Sequence, residues 1–351
     1  MKSEVRSAES KCGAWSDNST LHTPLSTLFF TPIYKDYIWG GSRIPAAYSR
    51  EGAPGRCAES WEIAAHPDGD TPVSPGGRAS PRADVPPSFA GRTLSSLAAE
   101  YGAALTGTRA PCPTRFPLLF KLIDAREKLS VQVHPSDTTA ALTGGEPKTE
   151  MWYVLAHTER AALYAGLREG VTPETLRAAL ADGTAEQCLA EMPVTAGQAL
   201  FIPGGLVHAI GAGCLIYEVQ QNSNTTYRLY DWDRTGADGQ PRPLHIEESF
   251  NVIDWALPPP RLTTASSPAH GAYAELAACA HFTVRKLTLN GTLTVPLDGT
   301  TFHALFIESG AATIETGGEP RTLPTGASCL IPAAAPRYTL TGDASILVTT
   351  L

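Results

Sequence analysis

The chain has 351 residues, 42% hydrophobic and 18% charged, and carries a formal net charge of −8. That is enough apolar material for one large or two modest cores. An acidic chain without a basic stripe is poorly suited to nucleic acid or an anionic membrane surface. No run approaches the ~18 apolar residues of a membrane span.

Residues 1–24 are Ser-rich and charged and read as a disordered leader rather than a secretory signal. A first folded unit is expected over residues 25–257. It opens with Leu28-Phe29-Phe30 and Tyr37-Ile-Trp39-Gly40-Gly41, followed by a strand at Glu59-Ser-Trp61-Glu62-Ile63. The prolines and glycines of residues 67–92 predict a long surface excursion. Strands then come quickly, at 118–123, 129–133, 151–155 and 160–167. One segment breaks this pattern: Thr172 caps a helix, Pro173 suits its first turn, Glu174 complements its dipole, and Leu176, Ala179 and Leu180 form an apolar stripe. Strands resume at 199–202 and 214–220.

Pro258-Pro259-Pro260 marks a boundary. Beyond it, residues 261–351 divide into short, alternating, turn-bounded segments at 281–289, 292–296, 301–308, 311–316, 328–331 and 345–349, an all-β signature. An internal repeat links the halves: Gly197-Gln-Ala-Leu-Phe-Ile-Pro203 and Gly326-Ala-Ser-Cys-Leu-Ile-Pro332 both run from Gly through an apolar stretch into Ile-Pro. Five residues past that Pro stands His208 in the first copy and Arg337 in the second. The expected fold is therefore mainly β, a double cupin of two jelly-roll β-barrels with a short helical segment. The first barrel would hold a metal and the second none. The seven cysteines form no CxxC pair and read as reduced thiols of a cytoplasmic protein.

The chemistry concentrates in residues 115–234. Gln132 and His134 are two apart on an alternating strand and share a face, as do Lys148 and Glu150 if that segment is extended. With His208 they form a set of two imidazoles and a carboxylate, which suits a divalent metal. Any one of these histidines alone would more often be a hydrogen-bonded structural residue. Gln132 is either a ligand or a hydrogen-bond partner of one, since amides bind zinc rarely. Lys121 sits inside the apolar Leu119-Phe-Lys-Leu-Ile123 and is either a pocket cation or a charge guarding an edge strand. The amide-rich run Gln220-Gln-Asn-Ser-Asn-Thr-Thr-Tyr-Arg228 is poor core material and predicts a wet pocket. Arg228 there suits phosphate or a developing enediolate, the bland alternative being a surface ion pair with Asp231 or Asp233.

Glu127-Lys-Leu-Ser-Val-Gln-Val-His-Pro135, Lys148-Thr-Glu-Met-Trp-Tyr153, Ile202-Pro-Gly-Gly-Leu-Val-His208 and Gln220-Gln-Asn-Ser-Asn-Thr-Thr-Tyr-Arg-Leu-Tyr-Asp231 together resemble type I mannose-6-phosphate isomerases, most closely the short bacterial form. Tyr37-Ile-Trp-Gly-Gly41 and Glu59-Ser-Trp-Glu-Ile63 extend the resemblance over about residues 27–255. It implies one Zn²⁺ per chain at His134, Glu150 and His208, with Gln132 as a further ligand in longer relatives. It also implies that Arg228 is the essential arginine and that Lys121, Lys148, Glu59 and Glu218 line the pocket. The leader and the Pro-rich stretch depart from the short form.

The expected reaction interconverts mannose 6-phosphate and fructose 6-phosphate through a cis-enediol. Glu218 or a metal-organised water is the first choice of base, and Lys148 the second. The phosphate would meet Lys121, Arg228 or a nest of backbone N–H groups. The expected partner is thus a small sugar phosphate, with no nucleic acid, membrane or obligate protein partner. Two rival readings are a cupin Fe(II) oxygenase, which uses the same donor set, and a sugar-binding cupin without activity.

Overall fold

The computed structural model describes residues 25–48, 50, 52–74, 89–236, 239–265 and 269–351. The expected leader, residues 1–24, and the middle of the expected excursion lie outside these.

Two antiparallel sheets form the first barrel. One has seven strands in the order Ile33–Lys35, Glu59–Ile63, Leu118–Ala125, Cys214–Gln221, Glu150–His157, Gln198–Ile202 and Thr263–Thr264. The other has five, in the order Tyr227–Tyr230, Val131–Val133, His208–Ile210, Ala162–Leu167 and Leu189–Pro193. Their facing sides bury one core, in which Ile123, Trp152, Val154 and Ile216 meet Leu163, Ala165 and Ile210. Strands of the larger sheet read as nearly continuous apolar runs because both faces are covered. Phe120, Leu122, Tyr153, Tyr217 and Val219 point the other way, into a second core.

That second core joins the halves. It takes Leu94, Leu97 and Tyr101 from a helix, and Phe282, Phe302, Phe306, Leu330 and Leu347 from beyond the proline triplet. Tyr217 stacks on Phe306 with ring centroids 4.3 Å apart. The C-terminal barrel has its own interior of Leu287, Leu305, Ile307, Ile314, Ile346 and Val348. A chain ending at Ala256 would therefore expose Phe120, Tyr153 and Tyr217 together, and we expect it to be insoluble or molten. A monodisperse truncated protein with cooperative unfolding would contradict this.

Several expectations change. Helices are more numerous than the one expected: besides Pro173–Ala181, the described residues hold Arg43–Tyr48, Leu94–Tyr101, Ala103–Thr106, Ala140–Thr143 and Ile246–Val252. Thr172 does cap its helix, its hydroxyl accepting from the Thr175 N–H in a capping box. The supposed excursion is folded at both described ends, with a small hairpin at Ala65–His66 and Gly69–Asp70, and Thr71, Val73 and Phe89 buried. Segments 281–289 and 292–296 are one strand, Thr283–Pro296, and 301–308 and 311–316 are one strand, His303–Glu315. Gly291, read from sequence as a turn, faces Gly342 across the sheet instead. A Cβ on Gly342 would lie 2.3 Å from the Ala311 carbonyl oxygen, so glycine is what lets the neighbouring strand pass there. Thr263–Thr264 pairs with Gln198–Ile202, so the first sheet continues past the proline triplet.

The repeat is structural. Gly197 and Gly326 both have left-handed backbone, with φ of 89° and 82°. Both donate their N–H at 2.8 Å to the strand that their own strand then joins, at Val154 and Ile307.

A polar cluster ties the barrels together. Glu308 accepts from Tyr153 Oη and from Ser345 Oγ at 2.5 Å, and pairs with Lys286 Nζ at 2.7 Å. Burial works against the charge of Glu308, but the hydrogen bonds from Lys286, Ser345 and Tyr153 outweigh it and hold the carboxyl below its ordinary value. A carboxylate with a depressed folded pKa stabilises the fold above its unfolded pKa of about 4.3, and that contribution is lost as pH falls through the folded value. We expect Glu308→Gln to cost ~1.5–3 kcal/mol at pH 7, with the gap from the parent closing below about pH 4. Denaturant titrations across pH test this, and a gap independent of pH would refute it.

Candidate active site and metal centre

The two sheets of the first barrel each contribute one row of side chains. On the five-stranded sheet, Gln132 stands directly opposite His208 on one side and Arg228 on the other. On the seven-stranded sheet, Glu218 stands opposite Lys121 on one side and Trp152 on the other. Glu150 begins the Glu150–His157 strand, two residues before Trp152 on the same face. His134 and Lys148 occupy the turns leaving and entering these strands, and the Lys148 N–H bonds to the Pro135 carbonyl at 3.0 Å.

His134, Glu150 and His208 converge, with ligand atoms all within 4.8 Å of one another. Their Nε2 atoms lie 3.1 Å apart, and Glu150 oxygens lie 3.6 Å from His134 Nε2 and 3.4 Å from His208 Nε2. His208 Nδ1 is 2.8 Å from the Leu206 carbonyl, to which it can only donate, so the Nε2 lone pair faces the cluster. Burial, with Lys148 nearby, drives His134 well below its ordinary pKa and His208 down to about 3, keeping both imidazoles neutral as ligation requires. Burial pushes Glu150 up to about 7 despite Lys148, the mark of a carboxylate short of positive charge, and its Oε1 accepts no hydrogen bond. Neutral nitrogens, a charge-deficient carboxylate and a fixed tautomer fit a divalent cation. Gln132 Nε2 sits 3.3 Å from His208 Nε2, within reach of the same point.

Beside this centre, which it meets through Gln132 and Lys148, opens a cavity of about 300 Å³ lined also by Glu59, Lys121, Glu218 and Arg228 among others. All six pocket residues named from sequence therefore meet in one place. Lys121 belongs to an inner strand, which removes the edge-strand reading. It is paired with Glu218 at 3.2 Å and Glu59 at 3.7 Å. Burial opposes its charge, yet Glu59, Glu218 and Glu150 raise its pKa. Glu218 also accepts from Trp152 Nε1 at 2.8 Å. Burial would raise its pKa, but Lys121 and Lys148 dominate and lower it, so Glu218 is ionised at neutral pH. Lys148 Nζ lies 2.6 Å from Glu150 Oε2 and 2.9 Å from His134 Nε2.

Arg228 is not the surface partner of Asp231 or Asp233. Asp231 pairs with Arg234 and Arg242, Asp233 accepts from the Tyr230 hydroxyl, and Arg228 Nη1 donates to the Pro243 carbonyl at 2.8 Å. The amide-rich run does face the cavity, through Asn224 and Thr226. Arg242 also lines it, and nothing in the local sequence, a lone arginine between two prolines, pointed to that. Tyr153, His270, His281 and His303 lie elsewhere: His281 pairs with Asp137 at 2.9 Å and His303 bonds Tyr338 at 3.0 Å. Cys57, Cys188, Cys214, Cys279 and Cys329 are free thiols, whereas Cys112 is disulfide-bonded, against the expectation of reduced thiols throughout.

Comparison with known proteins agrees with this geometry. Residues 28–151 match the model of the phosphomannose isomerase type I catalytic domain, and residues 274–351 that of the mannose-6-phosphate isomerase cupin domain. The chain is 34% identical to mannose-6-phosphate isomerase ManA of Bacillus subtilis over 92% of its length and 98% of that protein. It is also 34% identical to the mannose-6-phosphate isomerase of Streptococcus mutans, over 91% of this chain and 96% of that one. The crystal structure of the Bacillus subtilis mannose 6-phosphate isomerase superposes with a TM-score of 0.80 at 28% identity, covering 93% of this chain and all of the other. With relatives this similar over nearly the whole length, the chain belongs to the type I mannose-6-phosphate isomerase family.

Proposed function

We propose that this chain interconverts D-mannose 6-phosphate and D-fructose 6-phosphate as a zinc-dependent isomerase of the cytoplasm. One observation carries the reading: a neutral His134–Glu150–His208 donor set lies against a cavity lined by Lys148, Glu218 and Arg228. Held by those three residues, with Gln132 in reach, Zn²⁺ would supply Lewis acidity toward the sugar oxygens. Glu218, ionised by its pairing with Lys121, takes the proton that moves between C1 and C2. Lys148 supplies and recovers the proton that moves between O1 and O2. Arg228 stabilises the negative charge that builds on the enediolate. Glu59 keeps Lys121 in place.

In this reading residues 25–257 form the catalytic unit and residues 261–351 a metal-free barrel that backs it. A fenced cavity rich in fixed cations suits an anionic sugar better than O₂, which favours the isomerase over an oxygenase. A coupled assay for fructose 6-phosphate formed from mannose 6-phosphate, with unphosphorylated mannose alongside, tests the proposal. A metal-replete protein that forms no fructose 6-phosphate would sink it.

A further inference from the structure

Two guanidiniums grip one carboxylate beside the cavity, and a third, Arg228, lies near them. Asp231, only 5% exposed, accepts from Arg242 Nε at 2.7 Å, from Arg242 Nη2 at 2.5 Å and from Arg234 Nη2 at 2.6 Å. Arg234 is otherwise spent on backbone, reaching the carbonyls of Lys128 and Asp231. Arg242 is held by Asp231 through Nε and Nη2, and its side chain lines the cavity. Arg228 lines it too; among the described residues it forms no ion pair with a carboxylate, and its buried Nε has no partner.

The short segment that carries Arg242 also positions Arg228. The Pro243 carbonyl accepts from Arg228 Nη1, the His245 N–H donates to the Arg228 carbonyl at 2.8 Å, and His245 Nδ1 accepts the Arg228 N–H at 3.1 Å. Before it, Trp232 and Asp233 hold left-handed backbone at φ 58° and 53°, a costly turn for non-glycine residues. Glu59 and Glu218, which line the same cavity, both pair with Lys121. So the lining holds carboxylates paired with Lys121, and also two guanidiniums, Arg228 and Arg242, of which Arg242 is the one gripped by Asp231.

We propose that Arg242 is a further substrate-binding residue which, oriented by Asp231, takes the phosphate group of the substrate together with Arg228. This rests on the sugar-phosphate reading above. A dianion fits two guanidiniums because each presents planar N–H pairs to phosphate oxygens. Asp231 occupies one edge of Arg242, which fixes the plane of its fork before the ligand arrives. Arg228→Ala should accordingly raise the phosphate Kd as well as lower kcat, whereas Arg242→Ala acts mainly on binding.

The test titrates inorganic phosphate into parent and variant proteins by calorimetry and assays the same proteins with mannose 6-phosphate. Arg242→Ala should raise the Kd for phosphate and the KM for substrate by roughly 10- to 100-fold, the span of one charge-assisted hydrogen bond, while kcat falls by less. Arg242→Lys should recover only part, since an ammonium lacks the planar fork that grips Asp231 along one edge and turns another toward a phosphate. A folded Arg242→Ala protein whose phosphate Kd lies within about twofold of the parent value overturns the proposal, and so does a parent that binds no phosphate. Should Arg242→Ala not fold, as read by circular dichroism, Arg242→Lys and Arg242→Gln carry the same comparison. A parent that is inert toward mannose 6-phosphate but shows Arg242-dependent phosphate binding would discard the isomerase reading and keep the anion site.

Discussion

Arg228→Ala should depress kcat by a factor on the order of 10²–10³, with metal content and folding intact, because a preorganised donor is lost where charge builds in the transition state. The structure sharpens the expectation. Among the described residues Arg228 forms no ion pair with a carboxylate, and its guanidinium is held by a backbone carbonyl, so its removal leaves none of their buried anions unpaired. Arg228→Lys should recover little, since an ammonium has neither the plane nor the second N–H pair. If Arg228 did no more than grip the ground-state phosphate, KM alone would rise and kcat would stay put. Unchanged kinetics in a metal-replete variant would remove the catalytic role and with it the strongest residue-level support for the proposed mechanism.

Chelation with EDTA or dipicolinate should abolish activity and Zn²⁺ should restore it. His208→Ala should weaken metal affinity by at least 10²-fold, more than is typical for loss of a residue that merely orients a ligand, where the cost is about 10- to 100-fold. The fold should survive, because His208 is one side chain at the edge of a core built from Trp152, Ile202, Leu206 and Ile210. Elemental analysis decides: stoichiometric zinc in His208→Ala would reject this residue as a ligand, and full activity in metal-free parent protein would reject the metal's role altogether.

Much of the site was legible in the chain because its parts are short-range. Gln132 and His134 share a face by the period of a strand, and Lys148 and Glu150 fall together by the same rule. Thr172 and Pro173 announce a helix start because capping is settled within one turn. The left-handed glycines of the repeat, Gly197 and Gly326, work through the few residues around them.

Other features were invisible or misread because they depend on residues far apart in sequence. Lys121 could be an edge charge or a pocket charge, and only strand order decided, by placing Leu118–Ala125 between Glu59–Ile63 and Cys214–Gln221. Asn290-Gly291 looks like a turn to any local rule, yet the chain runs straight through to pair with Arg337–Thr350. Arg242 owes its place in the cavity to Asp231, eleven positions earlier, and no periodicity connects them. By itself, then, the sequence determined the candidate donor set, the β character and the family, all written in contiguous motifs and alternation. Only tertiary structure decided that the two barrels share a core, that Arg228 donates to the Pro243 carbonyl rather than to Asp231 or Asp233, and that Arg242 lines the cavity. Those outcomes follow from which surfaces bury one another and where unlike charges meet, and such contacts exist only once the sheets have closed.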